Sequence, residues 1–217
     1  MAIKDVQIVP CRVTGPRGVV KSFLISGDDR LILVDTGFSD ADADIIIDQI
    51  EKSGRKHEDL KLCVLTHRHG DHTGGLKKLK KTLKFKLMAH ELDMPAIQKA
   101  TGHEVDTVLK GGERIPDCGG IRVIHTPGHT HGSISLYIGK NRTLIAGDMV
   151  LSAGKHLVVS PAYLSDDPEQ AEESVKKLIE MNLAIEKVLV GHGEDIFEGG
   201  AERLGKLLIA RRTPDTA

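Results

Sequence analysis

Apolar residues fall in two rhythms along the chain. In the first third they form short Val-, Ile- and Leu-rich runs at residues 6–10, 19–25 and 31–34, broken by Gly-Pro and Gly-Asp-Asp turn signals, the pattern of an antiparallel β-meander. After Asp35-Thr36-Gly37 the period lengthens: Ser39-Asp40 is suited to cap a helix, and residues 41–52 carry Ile45, Ile46 and Ile50 at helical spacing before Ser53-Gly54 ends the run. Residues 61–65 read as a strand, 76–82 as a helix and 85–89 as a strand. From there to about residue 120 the pattern is mixed, punctuated by Pro95, Gly102, Gly111-Gly112 and Pro116. Strands are expected again at 121–125, 133–138 and 143–146. A helix over 168–182 leads into a strand at 187–190, and a final helix over about 200–211 precedes a polar tail expected to fray.

The pattern repeats itself. Lys-Leu-Cys-Val-Leu-Thr-His at 61–67 is matched by Lys-Val-Leu-Val-Gly-His at 187–192, each a buried strand that delivers a histidine at its C-terminal end. Likewise Leu-Ile-Leu-Val-Asp-Thr-Gly at 31–37 is matched by Thr-Leu-Ile-Ala-Gly-Asp-Met at 143–149. Two similar α/β halves packed sheet against sheet would bring those strand ends together. No Pro/Ser/Gly-rich linker separates them, so residues 1–217 are expected to form one domain.

Composition narrows the class. A chain of 217 residues can bury a core without staples. With 30 Lys+Arg against 31 Asp+Glu there is no electrostatic case for nucleic acid or an anionic membrane as partner, which leaves a small-molecule substrate. The lysines at 77, 78, 80, 81, 84 and 86 read as a solvated helix face. Cys11, Cys63 and Cys118 are far apart and odd in number, so a reducing compartment is expected. With no signal-like start and no long uncharged apolar run, a soluble cytoplasmic protein is expected, a homodimer remaining open.

Candidate chemistry is concentrated in Thr-His-Arg-His-Gly-Asp-His-Thr-Gly-Gly at 66–75. His67, His69, Asp71 and His72 stand within six residues, directly after a strand and before two glycines, which places them on a loop. Neutral imidazole and carboxylate suit a borderline-soft divalent ion. The spacing is not that of a helical His-Glu-x-x-His site. Helix capping by Asp71 and surface histidines would account for one His and one Asp, not for four candidate ligands together. Further on, Thr-Pro-Gly-His-Thr-His-Gly at 126–132 holds His129 in a tight turn, with His125 and His131 read as ordinary turn residues. Gly147-Asp148 and Gly191-His192-Gly193 place two more candidates at the ends of apolar strands.

In identity and order these motifs resemble those of the metallo-β-lactamase-fold hydrolases: His67-x-His69-x-Asp71-His72, His129 in Thr-Pro-Gly-His-Thr, Asp148 in Ala-Gly-Asp and His192 in Gly-His-Gly. Val-Asp-Thr-Gly at 34–37 is similar to the family's first, mainly structural motif, so the resemblance runs from about residue 20 to 195. It implies an α/β fold, a four-layer αββα sandwich of two similar halves with the metal site at the strand ends. It also implies that His67, His69 and His129 bind one metal, that Asp71, His72 and His192 bind a second, that Asp148 bridges both, and that Asp35 supports the ligands from behind. The cofactors implied are two divalent ions, zinc first, with iron, manganese, cobalt or nickel compatible. A metal-bridging hydroxide would then be the nucleophile, with Asp71 orienting it and passing a proton to the leaving group.

Departures from the known subfamilies restrict the substrate. The common β-lactamases have a cysteine where Asp148 stands. Glyoxalase II and persulfide dioxygenases follow this aspartate with a glycine-rich stretch ending in Gly-Arg, whereas here the chain continues Met-Val-Leu-Ser-Ala-Gly-Lys to Lys155, which disfavours a glutathione thioester while Lys155 keeps it open. Flavodiiron enzymes would carry Glu at position 69. Acyl-homoserine lactonases have a tyrosine a few residues after the bridging aspartate, where this chain has Leu151; its nearest downstream tyrosine, Tyr163, lies in a loop that could fold over the metals and assist an oxyanion or leaving group. The expected function is a dinuclear hydrolase of an ester, lactone or thioester. The alternatives are a phosphodiesterase or phosphotriesterase using the same site, a mononuclear iron dioxygenase built on His67, His129 and Asp148, and a non-catalytic metal sensor. Specificity is expected in the loops at 14–20, 88–118 and 150–167.

Overall fold

Alternate side chains of the apolar strands serve two different cores, and that sorting stacks the chain in layers. The structure is a computed structural model that describes residues 6–15, 18–27, 30–154 and 156–209. Its first sheet takes strands in chain order: β1 (Gln7–Gly15), β2 (Gly18–Ser26), β3 (Leu31–Val34), β4 (Leu60–Val64), β5 (Lys86–His90) and β6 (Thr107–Leu109). The first three are antiparallel, as the turn signals predict, and β3 to β6 run parallel. The second sheet is formed from β7 (Arg114–Ile115), β8 (Ile121–His125), β9 (Ile134–Ile138), β10 (Thr143–Ile145) and, after a hairpin of β11 (Val150–Ala153) and β12 (His156–Val159), β13 (Lys187–Leu189). Its order is β13-β10-β9-β8-β7, with β10 and β13 parallel.

Between the sheets lie Phe23, Ile25, Ile32, Val34 and Val64 from one side and Ile121, Val123, Leu136, Ile138 and Ile145 from the other. The opposite face of the first sheet, with Leu31, Leu33 and Leu87, packs on helices α1 (Asp40–Lys52), α3 (Leu76–Thr82) and α4 (Met94–Thr101), α2 (Gly70–Thr73) being a single turn. The outer face of the second sheet, with Leu144, Val188 and Val190, packs on α5 (Pro168–Glu180) and α6 (Gly200–Ile209). The order helix, sheet, sheet, helix is the αββα sandwich expected.

The two sequence-similar strand pairs, β3 with β4 and β10 with β13, are each parallel neighbours, so the segments leaving them emerge at the same sheet edge. Three features were not legible from pattern. The mixed stretch contains α4, β6 and β7; the segment after Asp148 forms the β11–β12 hairpin; and Asp71 and His72 ride the helical turn α2, held by bonds from the His72 amide to the His69 carbonyl (3.0 Å) and from the Thr36 amide to the His72 carbonyl (2.7 Å). The lysine-rich α3 lies on the surface, with Lys78 paired to Asp44 and Lys80 to Asp106. Cys11, Cys63 and Cys118 are free and buried, and burial pushes the Cys11 thiol up to about 12. No helix among the described residues is long and apolar enough to cross a membrane. The turns at 15–16 and 27–29, the loop 14–20, Lys155 and the end of the last helix with its tail fall wholly or partly outside the described residues.

Candidate metal centre

Seven side chains predicted as ligands meet at the common edge of the two sheets. The segment leaving β4 supplies His67, His69, Asp71 and His72; the turn between β8 and β9 supplies His129; Asp148 follows β10 and His192 follows β13. They gather as His67/His69/His129 and Asp71/His72/His192, joined by His67/His72/Asp148, with the donor atoms of each group within 4.8 Å of one another. The imidazoles of His67, His69 and His129 stand edge to face, with centroids 4.6 to 4.8 Å apart. Asp148 sits between the triads, its Oδ1 3.5 Å from His72 Nε2 and its Oδ2 3.6 Å from His129 Nε2 and 3.4 Å from His192 Nε2. Asp71 Oδ2 lies 3.2 Å from His192 Nε2.

Each of four histidines is tied behind by Nδ1, which leaves Nε2 aimed inward. His72 Nδ1 donates to Asp35 Oδ2 at 2.8 Å and His192 Nδ1 to the Val19 carbonyl at 2.9 Å. His129 Nδ1 bonds Ser160 Oγ at 2.8 Å. Thr66 Oγ1 donates to Asp35 Oδ2 at 2.7 Å, so His67 Nδ1, 3.0 Å away, donates to that hydroxyl. Where Nδ1 donates, at His67, His72 and His192, the ring is held with Nε2 facing the cluster; His69 differs, its Nδ1 lying 2.9 Å from His129 Nε2. Asp35 holds both histidines while adopting φ of 59°, a left-handed conformation costing on the order of 1 kcal/mol outside glycine.

The donor set fits a cation. His67 Nε2, His72 Nε2 and Asp148 Oδ1 are buried and have no hydrogen-bond partner among the described residues. Buried polar atoms in folded proteins are otherwise almost always paired, and three such atoms gathered together without a partner suit a shared cation held between them. Burial, with His72 nearby, holds His67 well below the usual imidazole range, and burial holds His129 down at about 4. For His72 burial opposes the charge, but Asp148 and Asp35 outweigh it and the pKa is raised well above normal. His192 rises to about 9 because Asp148 and Asp71 overcome its burial. Burial also works against ionised Asp148 and Asp71, yet His72 and His192 hold both below the usual carboxylate range.

Two glycines admit the close approaches. Gly128 has φ of 132°, and a Cβ there would lie 2.2 Å from the Ala171 amide nitrogen, so the His129 turn sits flush on α5. At Gly191 a Cβ would come within 2.2 Å of Asp148 Oδ1.

Several supporting groups were missed in the sequence. Asp93, 1 % exposed, accepts from the Arg68 amide (2.8 Å), Thr130 Oγ1 (2.7 Å) and the Gly132 amide (3.0 Å), and so locks the His67–His72 segment to the His129 turn. Arg68 continues to Asp166 at 2.8 Å, tying in the loop that carries Tyr163. No spacing rule signals Asp93 or Ser160, because their role arises from contacts between distant segments. His125 is outside the cluster, stacked on His90 at 4.0 Å and bonded to the His131 carbonyl. Above the site opens a cleft of about 900 Å³ whose apolar lining is Phe38, Leu151, Tyr163 and Leu164. Tyr163 is on its rim and 85 % exposed.

Comparison with known proteins agrees with this geometry. The family model described as metallo-beta-lactamase superfamily matches residues 15–192. The "Probable metallo-hydrolase YflN" of Bacillus subtilis is 27 % identical over 209 residues, covering 78 % of each chain. A "Hydroxyacylglutathione hydrolase" of Rhodopseudomonas palustris is 33 % identical over 73 % of this chain, which spans 57 % of that enzyme's length. Among solved structures, a metallo-beta-lactamase from Pontibacter korlensis superposes with a TM-score of 0.78 at 18 % identity, covering 97 % of this chain and 96 % of its own.

Proposed function

Because the chain belongs to the metallo-beta-lactamase superfamily and is a metal-dependent hydrolase, we propose that it uses two divalent ions, zinc first, to hydrolyse a small ester, lactone or thioester. The observation that carries this reading is the convergence of seven candidate ligands where three buried polar atoms have no hydrogen-bond partner among the described residues. His67, His69 and His129 would hold one ion, Asp71, His72 and His192 the other, and Asp148 both. Divalent ions held there would supply Lewis acidity, which lowers the pKa of water and polarises a carbonyl oxygen. Asp71, half-buried with its pKa held below the usual carboxylate range, would take the proton of the attacking water and return it to the leaving group. Asp35, Thr66 and Ser160 keep the imidazoles oriented.

Support for an acyl substrate comes from the relative named for hydrolysis of hydroxyacylglutathione, an acyl thioester. The cleft adds that no Lys or Arg is among its described lining residues, which favours neutral esters and lactones over phosphodiesters. Phe38, Leu151 and Leu164 would take the apolar part of the substrate, and Tyr163 would reach its leaving group from the rim. Elemental analysis, followed by a panel of lactone, ester, thioester, β-lactam and phosphodiester substrates with each metal restored, tests the proposal. Two zinc per chain with turnover of an acyl substrate supports it; one iron with oxygen consumption, or activity confined to phosphodiesters, overturns it.

A further inference from the structure

A single buried lysine fastens the His192 segment to the opposite sheet. Lys21 on β2 is 1 % exposed, and the Asp195 side chain it faces is 0 % exposed. Lys21 Nζ bonds Asp195 Oδ1 and donates to the Gly193 carbonyl at 2.9 Å, while the Lys21 amide donates to the Gly191 carbonyl at 3.0 Å. Asp195 Oδ1 accepts in turn from the Val190 amide at 3.1 Å. These bonds bracket His192, whose own Nδ1 donates to Val19, two residues before Lys21 on the same strand. Burial lowers the Lys21 pKa, and the bond to Asp195 works against that. A buried ion pair gives little net stability that well-packed apolar residues of equal volume would not. What the pair does supply is a fixed spacing between two sheets.

We propose that Lys21, through Asp195 and Gly193, is a positioning residue that holds His192 against Asp71 and Asp148 and so sets the affinity of the second metal pocket. The proposal rests on the dinuclear reading above. The first pocket has separate fastenings, Asp93 and Ser160, so loss of Lys21 should split the two affinities rather than lower both.

The test uses the full chain with Lys21→Met combined with Asp195→Asn, which avoids stranding one buried charge, and Lys52→Met at the exposed Lys52–Asp48 pair as control. Zinc is titrated against a chelating competitor, and amide hydrogen exchange is followed in the metal-free proteins. The expected result is one zinc constant within about threefold of the parent and the other weakened about tenfold or more, with faster exchange confined to residues 190–195. Unchanged constants with unchanged exchange, or equal weakening of both constants, overturns the proposal. If the parent chain takes up only one zinc, the dinuclear reading fails, and the metal-free exchange then decides alone: faster exchange at 190–195 supports the clamp and equal exchange removes it. Should that variant not fold, Lys21→Gln combined with Asp195→Asn, which also leaves no buried charge, is read the same way.

Discussion

The two halves of the molecule reach the same site by different routes. The first half places four candidate ligands on one continuous segment, His67 to His72, so their mutual spacing is set by a few backbone torsions and the turn α2. The second half delivers one side chain from each of three separated strand ends, His129, Asp148 and His192, and their spacing is set by the sheet that holds those strands in register. A site half built by local backbone and half by tertiary packing should respond differently to damage on its two sides.

The most severe test falls on the group both triads share. Asp148→Ala should abolish turnover and reduce metal content in elemental analysis; a variant with normal metal and turnover would show that the second half is dispensable. Next is the local half: Asp71→Ala, with metal replete, should lower turnover by about 10²- to 10⁴-fold with KM nearly unchanged, and steady-state kinetics that show KM rising instead would move Asp71 from proton transfer to substrate binding. The supports separate the halves further. Asp35→Asn and Ser160→Ala should each weaken metal binding by about 10- to 100-fold, the first through His72 and His67 and the second through His129. Competitive zinc titration that found identical profiles for the two would erase the distinction. The smallest effect is expected at the rim. Tyr163→Phe should cost far less than the roughly 100-fold typical of a lost oxyanion donor, because the ring is 85 % exposed; a loss of that size would give the hydroxyl a direct part in the chemistry.

The same contrast explains how much could be read in advance. His67, His69, Asp71 and His72 are conspicuous because a crowded set of donors is itself a local pattern. His129, Asp148 and His192 stood out only weakly, by a tight turn and by strand-end positions, because one histidine in a turn is ordinary; their partnership with the first cluster and the motif resemblance raised them. Asp93 and Lys21 carried no signal: the first joins three segments and the second pairs with a residue in the other half of the chain, and neither lies at a spacing that means anything along the backbone. The β11–β12 hairpin and the elements between residues 90 and 120 were missed because their short strands depend on pairing partners more than on their own periodicity.

Hydrophobic period and donor chemistry, both local properties, were enough to predict most of the strands and helices, two similar α/β halves and the crowded donors at 67–72, while the four-layer class and the full ligand set came from motif resemblance. Tertiary structure alone decided that β10 and β13 run parallel beside one another, that Asp148 stands between two imidazole groups, and that a lysine from β2 reaches the His192 segment. The physical reason is range: periodicity and coordination preference act over a few residues, whereas the placing of strand ends and the pairing of buried charges are settled only when distant segments exclude water between them.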